Sequence, residues 1–200
     1  MLKVILLRHG ETAYNAAGNR YCGRTDIGLT EKGLAQAARV ASALQGVSID
    51  AVYSSPLQRA RKTAEIASGG LEVVTDERLI EADFGLWEGK TKEEFNATDP
   101  TLWERWMANP RIARAGGTGE TGEEIVSRVD SFFNDIRTRH KDQQIMVVAH
   151  NGINRLYLAG KMGMPLSNYR RFDMENSSIT FFQMDENGVI VLRKLNAGSI

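Results

Sequence analysis

Cysteine is nearly missing from this chain of 200 residues: Cys22 stands alone, which excludes an internal disulfide and fits a reducing compartment. A net charge is missing too. Twenty-five Lys and Arg balance 25 Asp and Glu, so there is no overall basic field for nucleic acid or an anionic membrane, although a local basic pocket for a small anion remains open. No apolar run approaches membrane-spanning length. The opening MLKVILLRHG has too short an apolar part, and no small-residue cleavage site, for a signal peptide. These absences predict a cytoplasmic, soluble protein with neither nucleic acid nor membrane as a partner. There is also no linker, low-complexity tract or internal repeat, and the hydrophobic content of 42% suffices for a core, so residues 1–200 are expected to form a single domain.

What is present begins with an aliphatic run, Leu2 to Leu7, that ends abruptly in Arg8, His9 and Gly10. Such a run reads as a strand buried on both faces, of the kind found in parallel sheets. Thr30 is the expected N-cap of a helix whose apolar stripe is Leu34, Ala37, Ala38, Ala41 and Leu44. DAVYSS reads as a second strand, and Ser55-Pro56 as a hydroxyl cap and proline opening a helix to about Ser68. LEVVT is a third strand. The capping boxes Thr91/Glu94 and Thr121/Glu124 each announce a helix, the second a long one with Val126, Val129, Phe133 and Ile136 inward. QIMVVAH then repeats the opening pattern, a strand ending in His150 and followed by Asn151-Gly152 and a helix, and the tail forms a hairpin around Glu186-Asn187-Gly188. Alternating strands and helices predict an α/β fold with a mainly parallel sheet covered on both faces.

Parallel strands align their carboxyl ends, so Arg8, His9, Arg59, Glu81 and His150 are expected to converge at one sheet edge. Two histidines, arginines and one acid suit an anionic tetrahedral centre. Arginine forks match phosphate oxygens and stay charged. They also disfavour a second positive charge on a nearby imidazole, which keeps one histidine neutral for attack on phosphorus. The other histidine can donate to the transition-state oxygens, and a carboxyl group kept protonated can supply the leaving group's proton.

Four segments, LLRHGETAYN, YSSPLQRARKTA, ERLIEADFGLWEG and VVAHNGI, resemble in order the signature segments of the histidine phosphatase superfamily, which includes the cofactor-dependent phosphoglycerate mutases. The likeness runs to about residue 155, and GGTGETGEEIVSRV resembles the family's segment ahead of its long helix. The resemblance implies a three-layer α/β/α sandwich and hydrolysis of a small phosphorylated metabolite through a phosphohistidine, without metal or cofactor. His9 corresponds to the nucleophile, Arg8, Arg59 and His150 to the phosphate clamp, and Glu81 to the proton donor. Asn15, Asn151 and the backbone at Gly23 fall where phosphate or substrate is bound. The small bacterial phosphatases are most similar, with α-ribazole 5′-phosphate the first candidate substrate and broad-specificity or phosphoserine phosphatases beside it.

Several alternatives stay open or close on the residues alone. A cysteine-dependent phosphatase needs an arginine six positions after the cysteine, where Gly28 stands; no P-loop is present, and three scattered histidines do not make a binuclear metal site. Asp83 rivals Glu81 as the acid. A mutase would return the phosphoryl group to a second hydroxyl, but the lid-like insertion, at about residues 82–120, is short, with Arg105, Arg111 and Arg114 as its candidate basic contacts. A binding module that kept the pocket without turnover is the remaining rival. Trp87, Phe95, Trp103, Trp106 and Met107 either stack on a substrate ring or pack short helices onto the core. Arg61 is expected to face away from the site, and His140 to lie exposed at a helix C-terminus. The oligomeric state, monomer or dimer, is left open.

Overall fold

A computed structural model describes residues 1–199. The aliphatic run at the start forms β1 (Leu2–Arg8), and its alternation explains its place in the middle of the molecule. Val4 and Leu6 enter one hydrophobic core, while Ile5 and Leu7 enter another on the opposite face. After the short helix α1 (Ala13–Ala16) come α2 (Glu31–Ala43), β2 (Ala51–Ser54), α3 (Gln58–Ala67) and β3 (Val73–Thr75). Two single 3₁₀ turns lead to α4 (Lys92–Thr98) and α5 (Pro100–Ala108), and then to α6 (Gly122–Arg139), β4 (Gln144–Ala149) and α7 (Asn151–Lys161). The hairpin β5 (Ile179–Met184) and β6 (Ile190–Ala197) closes the chain.

Among the described residues, six strands form one sheet in the order β3-β2-β4-β1-β5-β6. The first four are parallel and the hairpin is antiparallel. Helices α6 and α7 cover one face; α2 and α3 cover the other. The register sets the site. Arg8 pairs with Ala149 and Ser54 with Val148, so His9, His150 and Ser55 leave the sheet side by side. Backbone bonds hold them there: His9 N–H donates to Ala149 O and Ser55 N–H to Val148 O, each at 3.0 Å.

Both expected capping boxes form, at Thr91/Glu94 and Thr121/Glu124. Three expectations are corrected. The buried side of α2 is Gly33, Ala37 and Val40, with Leu44 just beyond its end, whereas Leu34 and Ala38 face solvent; the backbone of Gly10 and Glu11 packs directly on Gly33. Helix α3 begins at Gln58 after Leu57, and Ser55 is not its N-cap. His140 ends α6 but is half-buried, with Nε2 2.7 Å from the Tyr53 hydroxyl and Nδ1 2.6 Å from Gln143 Oε1. Within 82–120, Trp87 and Phe95 are buried and stack at 4.8 Å between centroids, so these rings pack this segment onto the core. Arg61 is exposed beside Glu65.

Candidate active site

His9 is only 5% exposed at the end of β1. Its Nδ1 lies 2.7 Å from the Gly10 carbonyl. A carbonyl only accepts, so Nδ1 carries the ring proton and Nε2 keeps its lone pair. Burial pushes the imidazole pKa well down from its ordinary value, and the charges of Arg59 and Arg8 push the same way against the Gly10 bond. The ring is therefore neutral and its basic nitrogen is fixed. Gly10 has a steric reason: a Cβ there would stand 2.6 Å from the Gly33 carbonyl oxygen.

The second histidine, His150, meets the first edge to face, with centroids 5.1 Å apart. Its Nε2 is 2.7 Å from Ser55 Oγ, which accepts a bond from Leu57 N–H at 3.3 Å. The hydroxyl can donate to Nε2, the arrangement that puts the imidazole proton on Nδ1. Nδ1 is buried with no acceptor among the described residues. Burial first, then Arg59 and His9, depress this imidazole's pKa as well.

His150 also opens α7 without capping it through its side chain. The cap comes from Glu81, 71 residues earlier, whose Oε2 accepts from Gly152 N–H at 3.0 Å. Its Oε1 accepts from Ile153 N–H at 3.1 Å and Ala82 N–H at 2.9 Å. Burial raises the pKa of Glu81 even though those amides and Arg59 favour its charged form. The carboxyl group therefore takes a proton more readily than an exposed glutamate. Its neighbours have other tasks: Asp83 accepts from Gly85 N–H at 2.9 Å, and Glu88 binds Gly23 N–H through both oxygens at 3.0 Å.

The structure brings Arg8, His9, Asn15, Glu81 and Asn151 onto one cavity wall. Arg8 is anchored by Nη1 on the Met174 carbonyl at 2.7 Å, and its Nε–H has no acceptor among the described residues. Burial lowers its pKa to about 10. Arg59 is fully buried behind the cavity, donating to the carbonyls of Thr25 and Gly23 at 2.7 Å and Cys22 at 3.2 Å, with its Nε–H free of acceptors among the described residues. Asn15 Oδ1 accepts from Thr12 N–H at 3.0 Å and Asn176 Nδ2 at 3.2 Å. Gly23 stands apart from the expectation of a ligand contact, because its amide is already occupied by Glu88.

Sequence reasoning missed Ser55 and most of the outer wall, where Arg155, Tyr169, Arg170, Tyr21 and Phe84 face the cavity, joined by Trp106, which the sequence leaves between substrate stacking and core packing. Arg155 had a signal: it stands four positions after Asn151 on the helix that His150 opens.

The sequence description of the histidine phosphatase superfamily, branch 1, matches residues 4–197. The chain belongs to that superfamily. Phosphoserine phosphatase 1 of Hydrogenobacter thermophilus is 37% identical over 198 residues, covering 98% of this chain and 92% of that protein. A crystal structure of a mutant phosphoserine phosphatase from Entamoeba histolytica in complex with phosphoserine superposes with a TM-score of 0.90 at 32% identity, covering 99% of this chain and 98% of that one. A putative α-ribazole-5′-phosphate phosphatase from Escherichia coli reaches 0.86 at 30% identity, covering 100% and 98%. The expected family and the phosphoglycerate mutase-like α/β fold are borne out. This histidine phosphatase is a hydrolase acting on a small phosphorylated metabolite. Among the described residues no helix is long and apolar enough to cross a membrane.

Proposed function

We propose that this enzyme hydrolyses a phosphomonoester whose alcohol carries a carboxylate, through a phosphoryl group held transiently on His9. Nε2 of His9 attacks phosphorus and the P–O bond to the alcohol breaks, the departing oxygen taking a proton from Glu81. Water then attacks the phosphohistidine, Glu81 accepts its proton, and the P–N bond breaks to release inorganic phosphate and neutral His9. Arg8, Arg59 and the Nδ1–H of His150 hold the phosphoryl oxygens, with Asn15 and Asn151 at its edge. Gly23 serves this clamp indirectly, through the carbonyl that anchors Arg59. Neither metal nor cofactor takes part. The lone thiol, Cys22, fits a reducing compartment, and we read the cytoplasm as the place of action.

The observation that carries this reading is the bond from His9 Nδ1 to the Gly10 carbonyl, which leaves Nε2 as a neutral nucleophile close to two arginines. The substrate class rests on charge. Among the described residues, Arg8, Arg20, Arg155 and Arg170 line the cavity against the single acid Glu81. Arg20 is bound to Glu94, but among the described residues Arg8, Arg155 and Arg170 form no salt bridge. Arg155 and Arg170 lie over the rings of Tyr169 and Trp103 at 5.3 Å. A phosphate answers the inner arginine, and a carboxylate on the leaving group answers the outer pair better than the uncharged α-ribazole does. The bound phosphoserine of the Entamoeba enzyme is a ligand of that class.

The test compares kcat/KM, in excess chelator, for 3-phosphoglycerate against glycerol 3-phosphate and for phosphoserine against α-ribazole 5′-phosphate. A carboxylate advantage of about a hundredfold, roughly 2.7 kcal/mol of transition-state binding, is expected. A lead for α-ribazole 5′-phosphate overturns the substrate class. Turnover surviving in His9→Ala overturns the mechanism, and isomerised phosphate ester in place of inorganic phosphate makes the protein a mutase.

A further inference from the structure

Glu120 and Arg128 lie outside the cavity, yet between them they grip the backbone on both sides of Glu81. Arg128, on the second turn of α6, aligns side-on with Glu120: Nε to Oε1 is 2.9 Å and Nη2 to Oε2 is 3.1 Å. Its remaining Nη1 donates to the carbonyls of Arg78 and Ile80, both at 2.7 Å, and Ile80 immediately precedes Glu81. On the other side, Glu120 Oε2 accepts from Asp83 N–H at 2.9 Å, and Glu120 N–H donates back to Asp83 O at 3.0 Å. The contact is close enough to need a glycine, since a Cβ on Gly119 would sit 2.1 Å from the Asp83 carbonyl oxygen. Both charged side chains are largely shielded, at 17% and 16% exposure.

From Ile80 to Phe84 the chain has no helix or strand of its own to fix it. Proton transfer depends on placement, and a displacement of about 1 Å can cost on the order of a hundredfold in rate. We propose that Glu120 and Arg128 are positioning residues for proton transfer: the pair clamps the Ile80 carbonyl on one side of Glu81 and the Asp83 amide on the other, and so sets where the Glu81 carboxyl group meets the leaving oxygen. The proposal rests on Glu81 being the proton donor of the preceding section. Neither residue lines the cavity, so the clamp acts on protonation of the alcohol and leaves phosphoryl binding to the arginines.

The dependence on leaving group separates this role from general support of the fold. An aryl phosphate departs with little protonation, whereas an alkyl phosphate needs it. The ratio of kcat/KM for 4-nitrophenyl phosphate to that for an alkyl phosphate is measured in wild type, Glu81→Gln, Glu120→Gln, Arg128→Lys and the double variant Glu81→Gln/Glu120→Gln. Glu81→Gln should raise the ratio by about tenfold or more, within the range of general acid catalysis. Glu120→Gln and Arg128→Lys should each raise it by about threefold or more, and adding Glu120→Gln to Glu81→Gln should raise it no further. Arg128→Lys keeps the charge but not the fork, and supplies the result if Glu120→Gln folds poorly. If Glu81→Gln shifts the ratio while both clamp variants lower the two substrates equally, the clamp is structural and the proposal fails alone. If Glu81→Gln leaves the ratio unchanged, the assignment of Glu81 fails and takes this proposal with it.

Discussion

Glu81 reaches the amide of Gly152 because Gly152 has no side chain: a Cβ there would lie 2.6 Å from Oε1 of the carboxylate. The helix opened by His150 is thus capped by an acid from a distant loop, which joins the proposed acid to the backbone beside the phosphate clamp. Gly152→Ala separates activity from helix stability. Alanine is favoured over glycine in a helix interior by about 1 kcal/mol, yet its methyl group displaces Glu81. Helix propensity partly offsets the lost cap, so the Tm should move by only a few degrees. Turnover of alkyl phosphates should fall about tenfold or more, with aryl phosphates less affected. Undiminished alkyl turnover would show that the carboxyl group needs no such seat.

Protonation sets the pH behaviour. His9 is held neutral well below the ordinary imidazole range, chiefly by burial, so hydrolysis of aryl phosphates should persist below pH 6, where a free imidazole of pKa about 6.5 is mostly charged. Glu81, raised by burial, must be protonated to act as an acid, so alkyl turnover should fall on the basic side sooner than aryl turnover. Stability has its own sign. The unfolded chain takes up protons at both histidines below about pH 6.5, while the native state resists them until its own lowered pKa values are reached. Unfolding free energy should therefore fall as pH drops through that window, and His9→Asn should flatten the slope in urea titrations run at each pH.

Ser55 offers a test of tautomer control. Removing its hydroxyl leaves His150 Nε2 without its 2.7 Å partner and no longer fixes the proton on Nδ1. Ser55→Ala should lower kcat by about tenfold, roughly 1.4 kcal/mol, and Ser55→Thr should restore part of it. An Ala variant with full kcat would mean that the histidine is oriented by its backbone alone.

Glu88 carries the loop that anchors Arg59. Its carboxylate accepts from Gly23 N–H at 3.0 Å, Thr25 N–H at 3.2 Å and Thr25 Oγ1 at 2.6 Å, while that loop's carbonyls hold the Arg59 guanidinium. Glu88→Gln weakens this hub by about 2 kcal/mol, the scale of hydrogen bonds to a charged group. The Tm should fall by about 4–8 °C, and KM for phosphate esters should rise as Arg59 loosens. A change in Tm with KM untouched would separate the loop from binding.

The strands and the residues at their ends were legible because a buried parallel strand is a continuous apolar run whose polar terminus stands out, as in Leu2–Arg8 and Gln144–Ala149. Local pattern misled where a tertiary partner takes over a side chain. Ser55 before proline has the form of a helix cap, but the adjacent strand brings His150 to its hydroxyl. Apolar spacing points to Leu34 and Ala38 as part of the buried stripe of α2 and gives no weight to Gly33, whose bare backbone receives Gly10 and Glu11. His140 has the pattern of an exposed helix end, but Tyr53 reaches it from strand β2. Arg128 and Glu120 carry no local pattern that marks them, and only the fold reveals what each one faces.

The sheet order has a consequence for how the molecule is made. Strand β1 pairs with β4 and β5, so Leu2–Arg8 has no edge to join until Gln144–Ala149 has been synthesised. At about 5–20 residues per second, this apolar strand waits on the order of ten seconds without a partner. During that interval His9 and His150 belong to no common site, and the nascent chain is at its most prone to aggregate. Chaperone dependence should therefore centre on this strand, and chains released before β4 should be both inert and sticky.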